Sequence, residues 1–325
     1  MKHYRLVDWA TQGYLGAVAL LILLFHNHTV PEWKVLFAGH VAGIALVHGL
    51  IELAVRRPEN KVVGFFRAFY PMMLYTAFYR ETELLNRLFV ADCLDPWFIR
   101  LEERVFGLQP SLLFMEWLPQ RWVAEVFYGA YFSYYLMIIG VGIALFVRGR
   151  DQFAHYLTVV SLLFYVCYFT YILLPVCGPR VFYEDFAGLN LPPEIRSMGA
   201  AHPFPETVQA GVFPSIIFLI YRHLEAAGAA FPSSHVAVAI CTAWFSFLYL
   251  KRIRYLHAFV TLLLCISTVY CRYHYVVDVL AGALTAAVII PLAHAFYWRV
   301  ERRVARAGTG PLTLTGETAG LPESR

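Results

Sequence analysis

Residues 229–245 read AAFPSSHVAVAICTAWF: a proline, two serines and a histidine stand directly before a long apolar run. About forty residues on, residues 270–282 repeat the arrangement as YCRYHYVVDVLAG, with another histidine at the mouth of another apolar run. Ionisable side chains are costly beside hydrocarbon and tend to mark function when they occur there. The fold therefore depends on what the apolar runs are, and the function on why polar groups gather at their mouths.

The whole chain answers the first question. Of its 325 residues, 59% are hydrophobic and only 15% are charged, and the mean hydropathy is +0.58. Soluble domains carry about 25% charged residues. Apolar stretches approaching ~20 residues recur, each long enough to cross a hydrocarbon layer of ~30 Å. Aromatic residues make up 17%, with many Trp and Tyr near the ends of those stretches, as in interfacial belts. The expectation is an all-α, polytopic membrane bundle of about 6–8 spans, placed at 12–27, 35–55, 62–79, 122–147, 155–175, 233–250, 255–271 and 278–298. The net charge of +4 gives no case for a nucleic-acid partner; the partner implied is the bilayer.

Basic residues set the orientation, because short cytoplasmic loops retain Lys and Arg. Lys2 and Arg5, then Arg56, Arg57 and Lys61, then Arg148 and Arg150, then Lys251, Arg252 and Arg254, and finally Arg299, Arg302, Arg303 and Arg306 all fall on one side of an eight-span arrangement. Both termini are then expected in the cytoplasm. The first span is expected to stay uncleaved, since HNHTVPEWK follows it rather than a small-residue cleavage site. Both histidine motifs fall on the opposite, periplasmic or lumenal, face by an argument that never used them.

Four units follow: N-terminal spans over 1–79, an interfacial segment over 80–121, a core over 122–306 and a polar tail over 307–325 expected to be disordered. The interfacial segment contains DPWFIRLEERVFGLQPSLLFMEWLP, amphipathic and broken at Gly107, Pro110 and Pro119. It is too polar to span but suited to helices lying in the interface. Read structurally it is a lid packed on the bundle; read functionally it admits substrate. The six cysteines show no metal-ligand spacing, and Cys177 and Cys271 fall near the histidine motifs.

His274 and Asp278 lie four apart, on one face if a helix starts there. A carboxylate on one imidazole nitrogen fixes the tautomer and frees the other as a nucleophile. Alone, Asp278 could be a helix cap and His274 a structural hydrogen-bonder. Ser233 or Ser234 reads as an N-cap, which leaves His235 without a purely structural reason. Two helix N-termini converging at the motifs would form an anion site. Arg180, in LLPVCGPRVFYEDF at 173–186, and Arg272 add guanidinium groups that match phosphate oxygens. Together these residues suggest a phosphate pocket.

FPSSHVA resembles the PSxH motif of the phosphatidic-acid phosphatase type 2 superfamily, RYHYVVDVLAG resembles its last motif, HxxxD, and GPR resembles the end of its first. With the DPWFIRLEERVFGLQP-like segment, the pattern is similar to the branch containing the inositolphosphotransferase of sphingolipid synthesis (inositol phosphorylceramide synthase). The likeness covers roughly 80–290. Two departures stand out: Leu173 occupies the place of the first motif's Lys, and Arg272 lies two residues before His274 rather than six.

The resemblance implies a six-helix catalytic core and a metal-free, cofactor-free reaction at a lipid phosphate or phospholipid. His274 would attack phosphorus, Asp278 would orient it, and His235 would serve as acid and then base. Arg180, Arg272 and the backbone N–H groups of Ser233 and Ser234 would hold the phosphate. Water as acceptor makes a phosphatase, and a lipid or sugar hydroxyl makes a phosphotransferase. A non-catalytic lipid-binding or transport protein is the remaining alternative, disfavoured because the ionisable groups cluster at one surface rather than at mid-membrane depth.

Overall fold

The computed structural model describes residues 3–184, 191–224 and 226–306. It is 79% helical, with 13 α-helices and no strand among the described residues, in keeping with an all-α membrane bundle. The tail expected to be disordered, 307–325, lies outside the described residues.

Each of the eight apolar runs is a helix. In chain order they are α1 (Leu6–Phe25), α2 (Trp33–Arg56), α3 (Lys61–Leu85), α6 (Arg121–Arg148), α7 (Arg150–Leu173), α11 (Ser234–Tyr249), α12 (Arg254–Tyr270) and α13 (Val276–Arg306). Five of them, α1, α2, α6, α7 and α13, are long and apolar enough to cross a membrane, while α11 and α12 are shorter apolar helices. α3 is interrupted by charge at Arg67, Arg80, Glu81 and Glu83. Helix α7 is the axis of the bundle: 72% of its most apolar window is buried, against 17% for α2 at the periphery. It packs against α1, α3, α6, α11 and α13, as a helix that is apolar all round must.

Helices α1, α3, α7 and α13 overrun the apolar runs that marked them, and buried pairs accompany the first two overruns. α1 begins at Leu6 rather than residue 12 because Asp8 is fully buried, receiving the amide of Arg5 at 2.6 Å, Nη1 of Arg67 at 2.9 Å and the Tyr70 hydroxyl at 2.7 Å. α3 runs on to Leu85, carrying Glu81 to within 3.0 Å of His40 on α2. Charges that look like the end of a span are, once paired, part of its packing.

The amphipathic stretch after α3 folds into α4 (Asp95–Phe106) and α5 (Pro110–Trp117), separated at Gly107, which lies at φ +71°, and Pro110. Between α7 and α11, where no span is expected, lie a 3₁₀ turn (Pro179–Phe182), α8 (Pro193–Ala201), α9 (Glu206–Gln209) and α10 (Val212–Leu224). α10 is apolar but only 13 residues long, too short to register as a span, and it packs on α6.

Candidate active site

Three irregular segments meet at one end of the bundle. After α7, Val176 pairs with the segment leading to α11: its amide donates to Gly228 at 3.3 Å, and its carbonyl accepts the Ala230 amide at 2.7 Å. Gly178, at φ +83°, lies so close to the α12–α13 link that a Cβ there would come within 2.6 Å of the Tyr273 carbonyl. Glycine is required twice at this point, for the left-handed backbone and for the close approach. The Ser233 amide donates to the Asp278 carbonyl at 3.1 Å, and Gly282 allows that contact, since a Cβ would lie 2.4 Å from the Ser233 carbonyl. Segments far apart in sequence are thus joined through their backbones.

This framework sets the two imidazoles face to edge. His274 Nε2 lies 3.4 Å from His235 Nδ1, and the ring centroids are 5.5 Å apart. His274 Nδ1 lies 3.5 Å from Asp278 Oδ2, which also accepts the Tyr275 amide at 2.9 Å. Asp278 Oδ1 is buried without a hydrogen-bond partner. Burial pushes His274, in the link ahead of α13, down to about 3, so the ring is neutral. A neutral ring with one nitrogen at a carboxylate and the other facing a chamber is arranged as a nucleophile.

The serine amides expected at the phosphate hold protein partners instead. Ser233 caps α11, its hydroxyl accepting the Val236 amide at 3.3 Å, while the Ser234 amide donates to the Tyr171 hydroxyl at 3.2 Å. The N-terminus of α13 is likewise occupied by a protein anion. Glu102 of α4 accepts the Val276 amide at 2.5 Å and bonds the Val277 amide.

Arg180 sits on the 3₁₀ turn, two residues past Gly178. Its Nε donates to Glu184 Oε1 at 3.1 Å, Nη2 pairs with Glu184 Oε2, and the guanidinium lies 5.1 Å over the Tyr221 ring. Arg272, at φ +62°, is fully buried with its guanidinium turned toward α5 and the C-terminal end of α8. Nη1 donates to the Tyr183 hydroxyl at 2.5 Å and the His202 carbonyl at 2.8 Å, and Nη2 to the Leu112 carbonyl at 2.7 Å. Both arginines line a cavity of about 820 Å³ together with Tyr221 and Arg222. The structure brings His235, His274 and Asp278 together; it places Arg272 in the packing of α5 and the α8 end.

Three residues at the site escaped the sequence reading. Asp95 is fully buried and accepts the amides of Cys177 and Gly178, each at 2.8 Å, and the Tyr275 hydroxyl at 3.0 Å. It and Glu102 lie seven residues apart on one face of α4, and together they grip the GPR and HxxxD segments. Burial pushes Asp95 up to about 6 and Glu102 up to about 7. That spacing of carboxylates was the available signal. The third residue is Tyr131 of α6, whose hydroxyl lies 3.0 Å from His235 Nε2 and contacts the Tyr221 hydroxyl. Nothing in the sequence distinguishes it from the other tyrosines.

From Ser234 and His235 an apolar cavity of about 430 Å³ extends between α3, α6 and α7, lined by Phe69, Met72, Ile138, Ile139 and Phe164 among others. This is within the ordinary size of small-molecule sites, ~300–1,000 Å³.

With this geometry in place, comparison with protein families finds a match to a model described as PAP2 superfamily over residues 96–292, more than half of the chain. The chain belongs to the PAP2 superfamily. Comparison with curated proteins gave no match, and comparison with solved structures gave none. The family and the spanning helices fit a phosphatase-type lipid phosphoesterase of the membrane.

Proposed function

We propose that the protein is a metal-independent lipid phosphoesterase that works through a phosphohistidine on His274. The observation that carries this reading is the His235–His274–Asp278 set, whose His235 lines an apolar cavity with one wall, α3, outside the family-matched segment. A lipid phosphate enters with its tail along the cavity and its phosphate in place of the direct imidazole–imidazole contact. His274 Nε2 forms a bond to phosphorus while the lipid oxygen leaves with a proton from His235. The anion itself raises the proton affinity of His235. Asp278 faces Nδ1 and stabilises the positive charge that develops on the ring. His235 then takes a proton from the acceptor, which attacks phosphorus and releases His274.

Arg180 exchanges Glu184 for the equatorial phosphate oxygens, a bidentate match that guanidinium suits. With water as acceptor the enzyme is a phosphatase. With a lipid hydroxyl as acceptor it is a phosphotransferase, the second reading, which the likeness of the segment carrying Asp95 and Glu102 to the inositolphosphotransferase branch supports. In both readings the site faces the periplasm or lumen, a placement supported by the basic clusters at the opposite helix ends.

Purified protein given a panel of lipid phosphates should release inorganic phosphate. Given an inositol phospholipid with ceramide or diacylglycerol, it should yield a new phospholipid if it is a transferase. Full turnover by His274→Ala in whichever assay responds would exclude the phosphohistidine.

A further inference from the structure

Beyond the imidazole pair, the densest cluster of reactive side chains among the described residues is a pair of buried thiols beside Asp95. The sulfurs of Cys93 and Cys177 and a carboxylate oxygen of Asp95 all lie within 4.8 Å of one another. Both cysteines sit on irregular backbone, Cys93 ahead of α4 and Cys177 in the segment after α7. The two segments are already paired on either side of the sulfurs: the Leu94 amide donates to the Pro175 carbonyl at 2.8 Å, and Asp95 receives the Cys177 and Gly178 amides. Cys271, which the sequence places near the same motifs, is a separate buried thiol.

A cation is the other occupant such a group could hold. The Asp95 oxygens, however, already accept the Cys177 and Gly178 amides and the Tyr275 hydroxyl and bond the Cys93 side chain, and a metal would have to displace these donors. The thiols need no further ligand to react with each other. A disulfide requires sulfurs that can approach to ~2.0 Å over a Cβ–Cβ spacing of ~3.5–4.5 Å; the backbone of the two paired segments sets that spacing, and χ1 rotation moves only the sulfurs.

We propose that Cys93 and Cys177 are a disulfide-forming pair that fastens the entry to α4 onto the GPR segment. The proposal draws on the orientation in which this end of the bundle meets an oxidising compartment; it does not depend on the phosphoesterase chemistry. The oxidant is a small-molecule or protein disulfide. One cysteine thiolate attacks it, breaking its sulfur–sulfur bond and expelling one thiol. The second thiolate then displaces the mixed disulfide and expels the other. The pair loses two protons and two electrons, and the donor gains them as two thiols. The cross-link joins positions remote in sequence, the case in which closing a loop restrains the unfolded chain most.

The test uses the full chain in detergent, treated with oxidised glutathione or with dithiothreitol, then denatured, alkylated and digested without reduction. The oxidised sample should yield a linked Cys93–Cys177 peptide and an intact chain two hydrogens lighter. Its thermal midpoint should exceed that of the reduced sample, and the difference should vanish in Cys93→Ser. The mass measurement needs only the unaltered chain, so a variant that fails to fold leaves the test intact. Alkyl groups on both cysteines after oxidant, a stable glutathione adduct, a Cys177–Cys271 linkage, or thiols freed for alkylation only by a chelator would each overturn the proposal.

Discussion

Two neighbouring groups of polar residues treat burial in opposite ways. In the clamp formed by α4, α5 and the adjoining loops, Asp95, Glu102 and Arg272 turn their charges onto the protein's own backbone: amides of residues 177, 178 and 276 for the carboxylates, carbonyls of 112 and 202 for the guanidinium. In the chamber beside it, two imidazoles face each other at 3.4 Å, and the carboxylate behind them keeps one buried oxygen without a partner. Charge tied to backbone holds segments in place. The contact between the two imidazoles joins side chain to side chain and can be exchanged for a ligand. Substitutions in the clamp should therefore cost stability, and substitutions in the chamber should cost turnover.

The largest effect is expected at His274. Replacement by Ala should lower turnover by about 10³-fold or more, roughly 4 kcal/mol or above in the barrier, with a thermal midpoint close to the parent's. Assay of phosphate release or lipid transfer alongside a melting curve checks both halves. An unfolded variant would place His274 in the clamp and erase the distinction.

Arg272 tests the other side of the comparison. Its Nη1 and Nη2 are bonded and its side chain is fully buried, so Arg272→Ala leaves the Leu112 and His202 carbonyls unanswered. The expected cost is about 3–5 kcal/mol of stability. The sequence placed this residue on the phosphate. If the variant folds normally and loses affinity for lipid phosphate instead, the sequence assignment is right and the clamp ends short of Arg272.

The two outcomes show what a sequence of this kind discloses. The eight helices were legible because apolar length and flanking polar residues define them, and errors fell where buried pairs such as Asp8–Arg67 disguise charge as packing. The approach of the histidine motifs was legible through the basic residues at the opposite helix ends, which force both motifs to one face. Which partner each polar group holds was not legible. The amides of Ser233, Ser234 and Val276 lie at helix starts as expected, yet Asp278, Tyr171 and Glu102 occupy them. All three partners come from other helices, a backbone carbonyl of α13, a hydroxyl of α7 and a carboxylate of α4, and only packing decides which acceptor reaches a helix end first.

Glu102 gives the comparison a pH dependence. Burial raises its carboxyl from 4.5 to about 7 in the folded protein. The folded state then binds more protons than the unfolded chain between those values. Stability contributed by the protonated group is full below about pH 4.5 and declines as pH rises toward 7. Glu102→Gln keeps an acceptor for Val276 and removes the titration. Melting curves from pH 4.5 to 7.5 should show the parent losing stability with rising pH relative to the variant; parallel curves would mean that Glu102 does not titrate in this window.

The smallest effect is expected where clamp and chamber touch. Tyr131 belongs to the helix core of α6, but its hydroxyl lies 3.0 Å from His235 Nε2. A hydrogen bond there fixes which nitrogen of His235 carries the proton toward His274, and with it whether that ring starts as acid or base. Tyr131→Phe keeps the ring packing on Tyr273 and His235, whose centroids lie 5.0 and 4.9 Å away, so the fold should be unaffected. Turnover should fall by about 3–10-fold, roughly 1 kcal/mol, with the loss varying across the pH profile because the tautomer of His235 is no longer set. A uniform loss at every pH would mean that Tyr131 only fills space, and that the chamber's protonation is governed by His274 and Asp278 alone.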